Sequence, residues 1–429
     1  MPETYPEFPG AQQVHAYLRA CTESWGLRPH IVFDRKVLGI MPRSSGAPGW
    51  RIRSQTTRDG REHEDEFDFV VVCNGVFSTP SIPELPGRAR FEEAGGFVVH
   101  SSATGSSPGF AGRDVAVVGF GKSALDLAEA ALPVARSCTV ICNRTLWKVP
   151  RYLFGLINSK HLILSRFAEF WLPHESMSGL RRVMHERLPR TVSLYWRLSE
   201  LLIGLQLGLL SPKLRPPLRL RESTGNCFGL APSDGFRAIR SGRLALRVGR
   251  IASLDERGLV LADGGRIAAQ AIVLATGFVQ QCEFLDEELR ARLFGPSGEP
   301  RLYRLLVPPR IPHMAFNGYN GGGATQLTSE IGARWICALL DGRLSLPDAR
   351  SMDAEIDREL AFRKTVVSAP RGLGFYSAPF MFSYLDRLLA DMGLAPADRP
   401  KPIWKRYLAP IDPRDFAGER LRPLTASRR

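Results

Sequence analysis

Gly119, Gly121 and Ala124 stand in the order G-x-G-x-x-A, with Lys122 and Ser123 between the last two. This spacing suits a backbone that must come close to a phosphate rather than side chains that make or break bonds. The first glycine makes a tight turn, the second lets the chain approach a pyrophosphate, and the small third residue lets a helix pack close against a strand. The phosphates then rest on the free N–H groups of a helix N-terminus. Arg144 and Thr145 close the next apolar run, where a dinucleotide's adenosine ribose is read. An acidic residue there would suit NAD, whereas a planar, permanently charged arginine suits the 2′-phosphate of NADP. Two further runs, Cys73-Asn74-Gly75 and Ala275-Thr276-Gly277, end apolar segments in small residues and a glycine, a form that brings a backbone turn near a cofactor. His100 and Ser101 follow another strand-like stretch. A base at His100 needs a partner that the sequence does not display, so a structural histidine at an interdomain turn is the favoured reading. No catalytic side chain is assigned, the histidines lack metal-ligand spacing so no metal is expected, and no nucleophile elbow is present.

These residues need elements to hold them. Residues 113–145 read as one β-α-β unit: a strand, the glycine turn, a helix to about residue 131, and a strand over 138–142 bracketed by Cys138 and Cys142. Upstream, residues 11–24 carry helical spacing, with Val14, Tyr17, Leu18 and Cys21 on one side. Residues 30–37 and 50–56 read as strands, and 67–73 as a strong buried strand. Prolines at 80, 83, 86 and 108 then punctuate an extended domain crossing. Residues 150–220 read as a helical, aromatic and arginine-rich segment. Strands resume at 244–248, 258–261 and 271–274, with a hairpin-like turn at Asp263-Gly264-Gly265. The tail carries glycines at 321–323 and a helix over 329–340.

The 429 residues allow two or three domains, and 44% hydrophobic with 23% charged residues is ordinary for a globular protein. The net charge of +14 is mostly arginine, without a basic block or nucleic-acid motif, so no nucleic-acid partner is expected. The seven cysteines form no C-x-x-C pair, zinc spacing or secreted framework. They point to the reducing cytoplasm, as does an N-terminus without signal-peptide character. The longest apolar tract, 193–210, is interrupted by Arg197 and Glu200 and is too polar for a membrane span. Its aromatic neighbours (Trp147, Tyr152, Phe154, Phe167, Phe170, Trp171, Tyr195 and Trp196) fit core packing at least as well as a lid or a surface resting peripherally on a membrane.

Taken together, the chain resembles the flavin-containing monooxygenases, class B flavoproteins that include the Baeyer–Villiger type. The family's G-x-G-x-S-G/A motif for NADPH is matched at Gly119, Gly121, Ser123 and Ala124, and its A-T-G motif at Ala275, Thr276 and Gly277. Its F-x-G-x-x-x-H-x-x-x-(Trp/Tyr) motif is matched at Gly96, His100 and Ser101, with Ala94 and Thr104 in place of the two aromatics. The resemblance implies an α/β fold of two-dinucleotide-binding-domain flavoprotein architecture, with a Rossmann-like NADP domain inserted in an incomplete FAD domain. Residues 1–104 would be the N-terminal part of the FAD domain, 105–258 the NADP domain with its helical insertion at 150–220, and 259–429 the C-terminal part of the FAD domain. The family opens with a first G-x-G-x-x-G for FAD. No such turn stands upstream of residue 119, which implies a missing βαβ unit and poor retention of FAD. The implied cofactors are FAD and NADPH, held by the residues named above. The implied reaction inserts one oxygen atom from O2, via a peroxyflavin, into a small substrate: a nucleophilic nitrogen or sulfur, or a ketone. A flavin-deficient NADP-binding remnant or sensor is the alternative. A disulfide-reductase type ranks below both, because no cysteine pair is suitably spaced.

Overall fold

Valine and isoleucine on two adjacent strands need apolar cover on both faces, and the position of that cover organises this molecule. The structure, a computed structural model, describes residues 4–43, 46–105, 109–175, 177–224, 229–296, 298–322, 324–366, 381–396, 402–418 and 421–423. Pro108, Cys227 and Gly323 lie outside the described residues. The chain divides into two compact units, residues 1–70 with 282–290, and residues 71–281 with 291–429.

In the first unit, helix α1 (Ala11–Ser24) has the expected bounds, but none of its residues is buried and Leu18 is 55% exposed. Strands β1 (Arg35–Pro42), β2 (Trp50–Thr56) and β3 (Glu62–Phe67) form an antiparallel meander in sequence order. The expected strand at 30–37 starts late. Pro29 holds a 3-10 turn at Arg28–His30, and Asp34 sits at φ +55°, a left-handed break. Strand β3 has no apolar face and is not among the expected strands. Its carboxylates face the arginines of β2, with Arg51 opposite Glu66 and Arg53 opposite Glu64.

The expected buried strand over 67–73 is two strands. The chain bends at Asp68, whose carboxylate accepts from Arg43 at 2.8 Å, and resumes as β4 (Val70–Val72). Within β4, Val70 and Val72 are buried while Val71 is 40% exposed. The run therefore alternates in burial instead of being enclosed on both sides.

The second unit is built on a five-stranded sheet. Its members are β5 (Phe97–His100), β6 (Asp114–Val118), β7 (Ser137–Cys142), β8 (Ala245–Val248) and β9 (Ala271–Leu274), in the spatial order β8-β7-β6-β9-β5. All neighbouring pairs are parallel, with Val117 opposite Val140 and Val273 opposite both Val117 and Val99. Helix α2 (Lys122–Ala131) connects β6 to β7. It covers one face with Ala124, Leu125, Ala128 and Ala131, packed with Val115, Val117, Val140 and Val273. The alternate residues Ala116, Val118, Ile141, Ile272 and Leu274 pack on the other face with Phe91, Leu254, Leu259 and Leu261. A sheet covered on both sides is why these strands read as unbroken apolar runs.

The segment after β7 is helical, as expected, with α3 (Arg166–Phe170), α4 (Gly179–Arg187) and α5 (Pro189–Leu207). It also holds a small antiparallel hairpin, Tyr152–Leu153 with Ile157–Asn158. Toward the C-terminus come β10 (Met314–Phe316), which pairs with β4, and helices α6 (Thr325–Leu340), α7 (Ala349–Val366) and α8 (Met381–Asp391).

Candidate functional site

The carboxyl ends of β5, β6, β7 and β9 lie along one edge of the parallel sheet. From β6 the chain moves to β7 and β8 on one side, then returns through β9 to the other. The crevice between β6 and β9 is thus a topological switch point, where open parallel sheets bind their ligands.

Gly119 follows β6 at φ +132°, a conformation that favours glycine. A Cβ there would lie 2.4 Å from the carbonyl oxygen of Ala275. The missing side chain is what lets the exits of β6 and β9 close on one another, and the Ala275 N–H donates to the Val118 carbonyl at 2.9 Å. Gly121 differs. Its φ of −71° is ordinary, and a Cβ there would meet nothing within 4 Å. The space beside it is open, at the N-cap of α2, where no side chain caps the helix. Among the described residues no acceptor faces the N–H groups of Lys122, Ser123 and Ala124. Buried Ala124 supplies the close helix–strand contact. The Lys122 ammonium pairs with Asp126 on its own helix, one turn on, while Ser123 is exposed.

At the exit of β7, Arg144 is exposed and has no ion-pair partner among the described residues. Thr145 is buried, and its hydroxyl donates to the Arg215 carbonyl at 3.1 Å. Trp147 Nε1 likewise donates to the Leu218 carbonyl at 2.7 Å. These two bonds hold the loop 211–219 beside the end of the strand. A groove of about 460 Å³ opens there, lined by Trp147, Glu200, Arg215 and Arg219 among others. Sequence reasoning missed Arg215, because its backbone carbonyl reaches Thr145 from a loop 70 residues downstream.

His100 is buried at the end of β5. Its Nδ1 accepts from the Ser102 backbone N–H at 3.1 Å, so the ring proton sits on Nε2, which donates to the Gly277 carbonyl at 3.0 Å. The same carbonyl accepts from the Ser81 N–H at 2.9 Å, and the Thr276 hydroxyl donates to the Ser81 carbonyl. The ring of Phe278 meets His100 edge-on at 5.1 Å. With both nitrogens occupied, His100 ties the ends of β5 and β9 together. Ser101 begins a 3-10 turn and accepts, through its carbonyl, from the Thr104 hydroxyl at 3.0 Å.

After β4, Cys73 is exposed and Gly75 takes φ +72°. Asn74 is held between the Tyr319 hydroxyl, which donates to it at 2.7 Å, and the Gln281 carbonyl, to which it donates at 3.2 Å. Tyr319 and Asn317 belong to the turn after β10, where the Asn317 N–H donates to the Val72 carbonyl at 2.9 Å. The exits of β4 and β10 are thereby joined. The turn-rich run Asn317-Gly318-Tyr319-Asn320 after an apolar strand was the available sequence signal for this pairing. By contrast, Cys138 and Cys142 lie inside the sheet, where burial pushes both thiols up to about 12.

This geometry has counterparts. A family model described as flavin-binding monooxygenase-like matches residues 1–191. A probable flavin-containing monooxygenase 1 of Arabidopsis thaliana is 29% identical over 426 residues, covering 91% of this chain and 79% of its own. The chain is similar to the flavin-containing monooxygenases over most of its length. Another relative, dimethylaniline monooxygenase (N-oxide-forming) 2 of Mus musculus, is 25% identical over 463 residues, covering 100% of this chain and 79% of its own. Among solved folds, a steroid monooxygenase bound to NADP superposes with a TM-score of 0.61 at 19% identity, covering 89% of this chain and 84% of the other. An open cyclohexanone monooxygenase gives 0.58 at 18%, covering 87% and 82%. The α/β fold is that of the two-dinucleotide-domain flavin monooxygenases; the matching family model is described as flavin-binding and the steroid monooxygenase is bound to NADP, in line with use of a flavin and NADPH. No helix among the described residues is long and apolar enough to cross a membrane.

Proposed function

We propose that this chain is an NADPH-dependent flavin monooxygenase, with FAD as its flavin, that inserts one oxygen atom from O2 into a small substrate with a nucleophilic nitrogen or sulfur, or a ketone. One observation carries the reading: an uncapped helix N-terminus beside open Gly121, at the switch point of a parallel sheet, with Arg144, exposed and without an ion pair among the described residues, one strand away. In this reading the amides of Lys122, Ser123 and Ala124 hold the NADPH pyrophosphate and Arg144 holds the 2′-phosphate. Residues 105–258 form the NADP block. Residues 1–104 and 259–429 supply the flavin side, with Cys73, Asn74, Gly75, His100, Ser101 and the 275–277 turn approaching the cofactors. The bound flavin supplies hydride acceptance and oxygen activation. The protein's part is to orient both cofactors and keep water out, which fits a site without an acid–base pair. The cytoplasm is the proposed compartment, on the scattered, unpaired cysteines.

The test uses the purified full chain with FAD, NADPH and a panel of amines, sulfides and ketones. Expected are substrate-stimulated NADPH oxidation, oxygen uptake, and a product heavier by one oxygen atom. NADPH binding without consumption, even with FAD saturating, would overturn this reading in favour of a flavin-free NADP-binding protein.

A further inference from the structure

Large apolar side chains scattered singly over a surface need no account, but a contiguous row of them does. Helix α5 carries such a row. Leu194, Leu198, Leu201, Leu202 and Leu205 are between 39% and 56% exposed, and their spacing of i, i+4, i+7, i+8 and i+11 places them on one helical face. The opposite face is buried through Val192, Ile203 and Leu207, so the exposed row is not the helix's packing side.

The aromatic residues clustered around Trp171 do not form the exposed surface. Trp171 stacks on Tyr195 at 4.2 Å, Phe167 and Phe170 meet Trp171 edge-on, and Trp196 Nε1 donates to the Trp171 carbonyl at 3.0 Å. The rings pack inward and the leucines face out. The hairpin continues the apolar surface. Gln206 clasps it, accepting from the Phe154 N–H at 3.0 Å and donating to the Tyr152 carbonyl at 2.8 Å. The hairpin tip holds Phe154, 52% exposed, and Leu156, 86% exposed.

Charge selects the occupant of this face. The one carboxylate of α5, Glu200, is buried and turned inward, accepting from the Leu220 N–H at 2.8 Å and from Arg219 at 3.0 Å. Arg190 and Arg197 are exposed beside the leucine row, and among the described residues no carboxylate pairs with them. A second copy would bring arginines against arginines in a chain of net charge +14. Anionic lipid headgroups would complement both the arginines and the leucines. We propose that the outer face of α5, with the 152–158 hairpin, docks on an anionic lipid bilayer, the helix lying in the plane of the interface. No helix among the described residues is long and apolar enough to cross that bilayer; the proposed contact is one helix face and a hairpin resting on it.

Cosedimentation of the full chain with vesicles of phosphatidylcholine and phosphatidylglycerol, against phosphatidylcholine alone, tests this. The wild type should partition onto the mixed vesicles and be released by high salt. Replacing Leu194, Leu198 and Leu201 by Ser should lower partitioning at least about tenfold on the mixed vesicles, with circular dichroism and melting temperature unchanged. The pair Arg190→Glu and Arg197→Glu should lower binding to the mixed vesicles by about tenfold or more, with no loss on phosphatidylcholine alone. This pair keeps the test informative if the triple variant folds poorly. Wild-type protein that stays in solution with the mixed vesicles would overturn the proposal. So would variants that all cosediment like wild type, or a wild-type dimer, indifferent to vesicles, that the leucine substitutions split into monomers.

Discussion

Two glycines of one motif are glycine for different reasons, and substitution should separate them. At Gly119 both the φ of +132° and the approach of the Ala275 carbonyl exclude a side chain. Gly119→Ala should therefore lower the unfolding free energy by more than about 2 kcal/mol, read as a fall in melting temperature. At Gly121 the backbone is ordinary and the surroundings are open. Gly121→Val should leave the melting temperature nearly unchanged while weakening NADPH binding at least about tenfold, since only the ligand would meet the new side chain. An unaltered NADPH dissociation constant in Gly121→Val would place the phosphates elsewhere. Arg144 admits a sharper test. Losing a charge-assisted bond to phosphate costs about 1.5–3 kcal/mol, so Arg144→Ala should weaken 2′,5′-ADP binding by about 10- to 100-fold. Binding of 5′-AMP, which lacks the 2′-phosphate, should not change. Equal losses for the two nucleotides would remove Arg144 from the 2′-phosphate site.

At the level of elements, the 150–220 segment is bolted to the C-terminal helix. Glu169 on α3 accepts from the Phe382 and Ser383 N–H groups and from the Ser383 hydroxyl, so it caps the start of α8. Arg166, also on α3, makes a two-pronged contact at 2.6 and 2.7 Å with Asp386, one turn further along α8. Burial raises the Glu169 carboxyl from 4.5 to about 7 despite these donors. An acid with a raised folded-state value stabilises the fold fully below its unfolded value, and that contribution is lost as pH rises through the folded one. Its window therefore runs from about pH 4.5 to 7. Buried His174 acts oppositely. Desolvation lowers it from 6.5 to about 4, so its contribution is present above pH 6.5 and is lost as pH falls toward 4. The two slopes oppose each other between pH 4.5 and 6.5. Glu169→Gln should unmask the histidine, giving stability that rises with pH across that range in urea titrations at several pH values. A variant whose profile parallels the wild type would show that Glu169 does not titrate in this window. Removing the cap altogether, as Glu169→Ala, should lower stability by about 2 kcal/mol, because buried N–H groups lose their acceptor.

Over the whole chain, arginine gives a strongly basic surface, and the two proposed anionic partners would meet different parts of it: a dinucleotide the sheet edge and lipid α5. These roles should be separable. The leucine and arginine substitutions on α5 should leave NADPH affinity within about twofold of wild type, because additivity holds for distant sites. Gly121→Val should leave vesicle binding intact. Loss of both functions in either variant would indicate that the two surfaces are coupled or that the variant is misfolded, which its melting temperature would reveal.

Patterns confined to one element are legible in the order of the amino acids alone. The bounds of α1 and β2, the 113–145 unit and the buried strand at 271–274 follow from apolar periodicity and glycine placement, because both faces of the parallel sheet must be apolar and a tight turn needs glycine. The family motifs are legible for the same reason, since a backbone cradle for phosphate is written in consecutive residues. Strand β3 is not, because its partner is charge on β2 rather than an apolar core. Nor is the split at Asp68, because three valines read alike whether one or both faces are covered. What distant segments do to one another is decided only in three dimensions. His100 is a tie to Gly277, Arg215 comes to rest beside the end of β7, and the Trp171 ring cluster turns inward while Leu194, Leu198, Leu201, Leu202 and Leu205 of α5 turn outward. Periodicity fixes which residues share a face of a helix or strand, whereas the choice of the face that meets the core depends on partners many residues away.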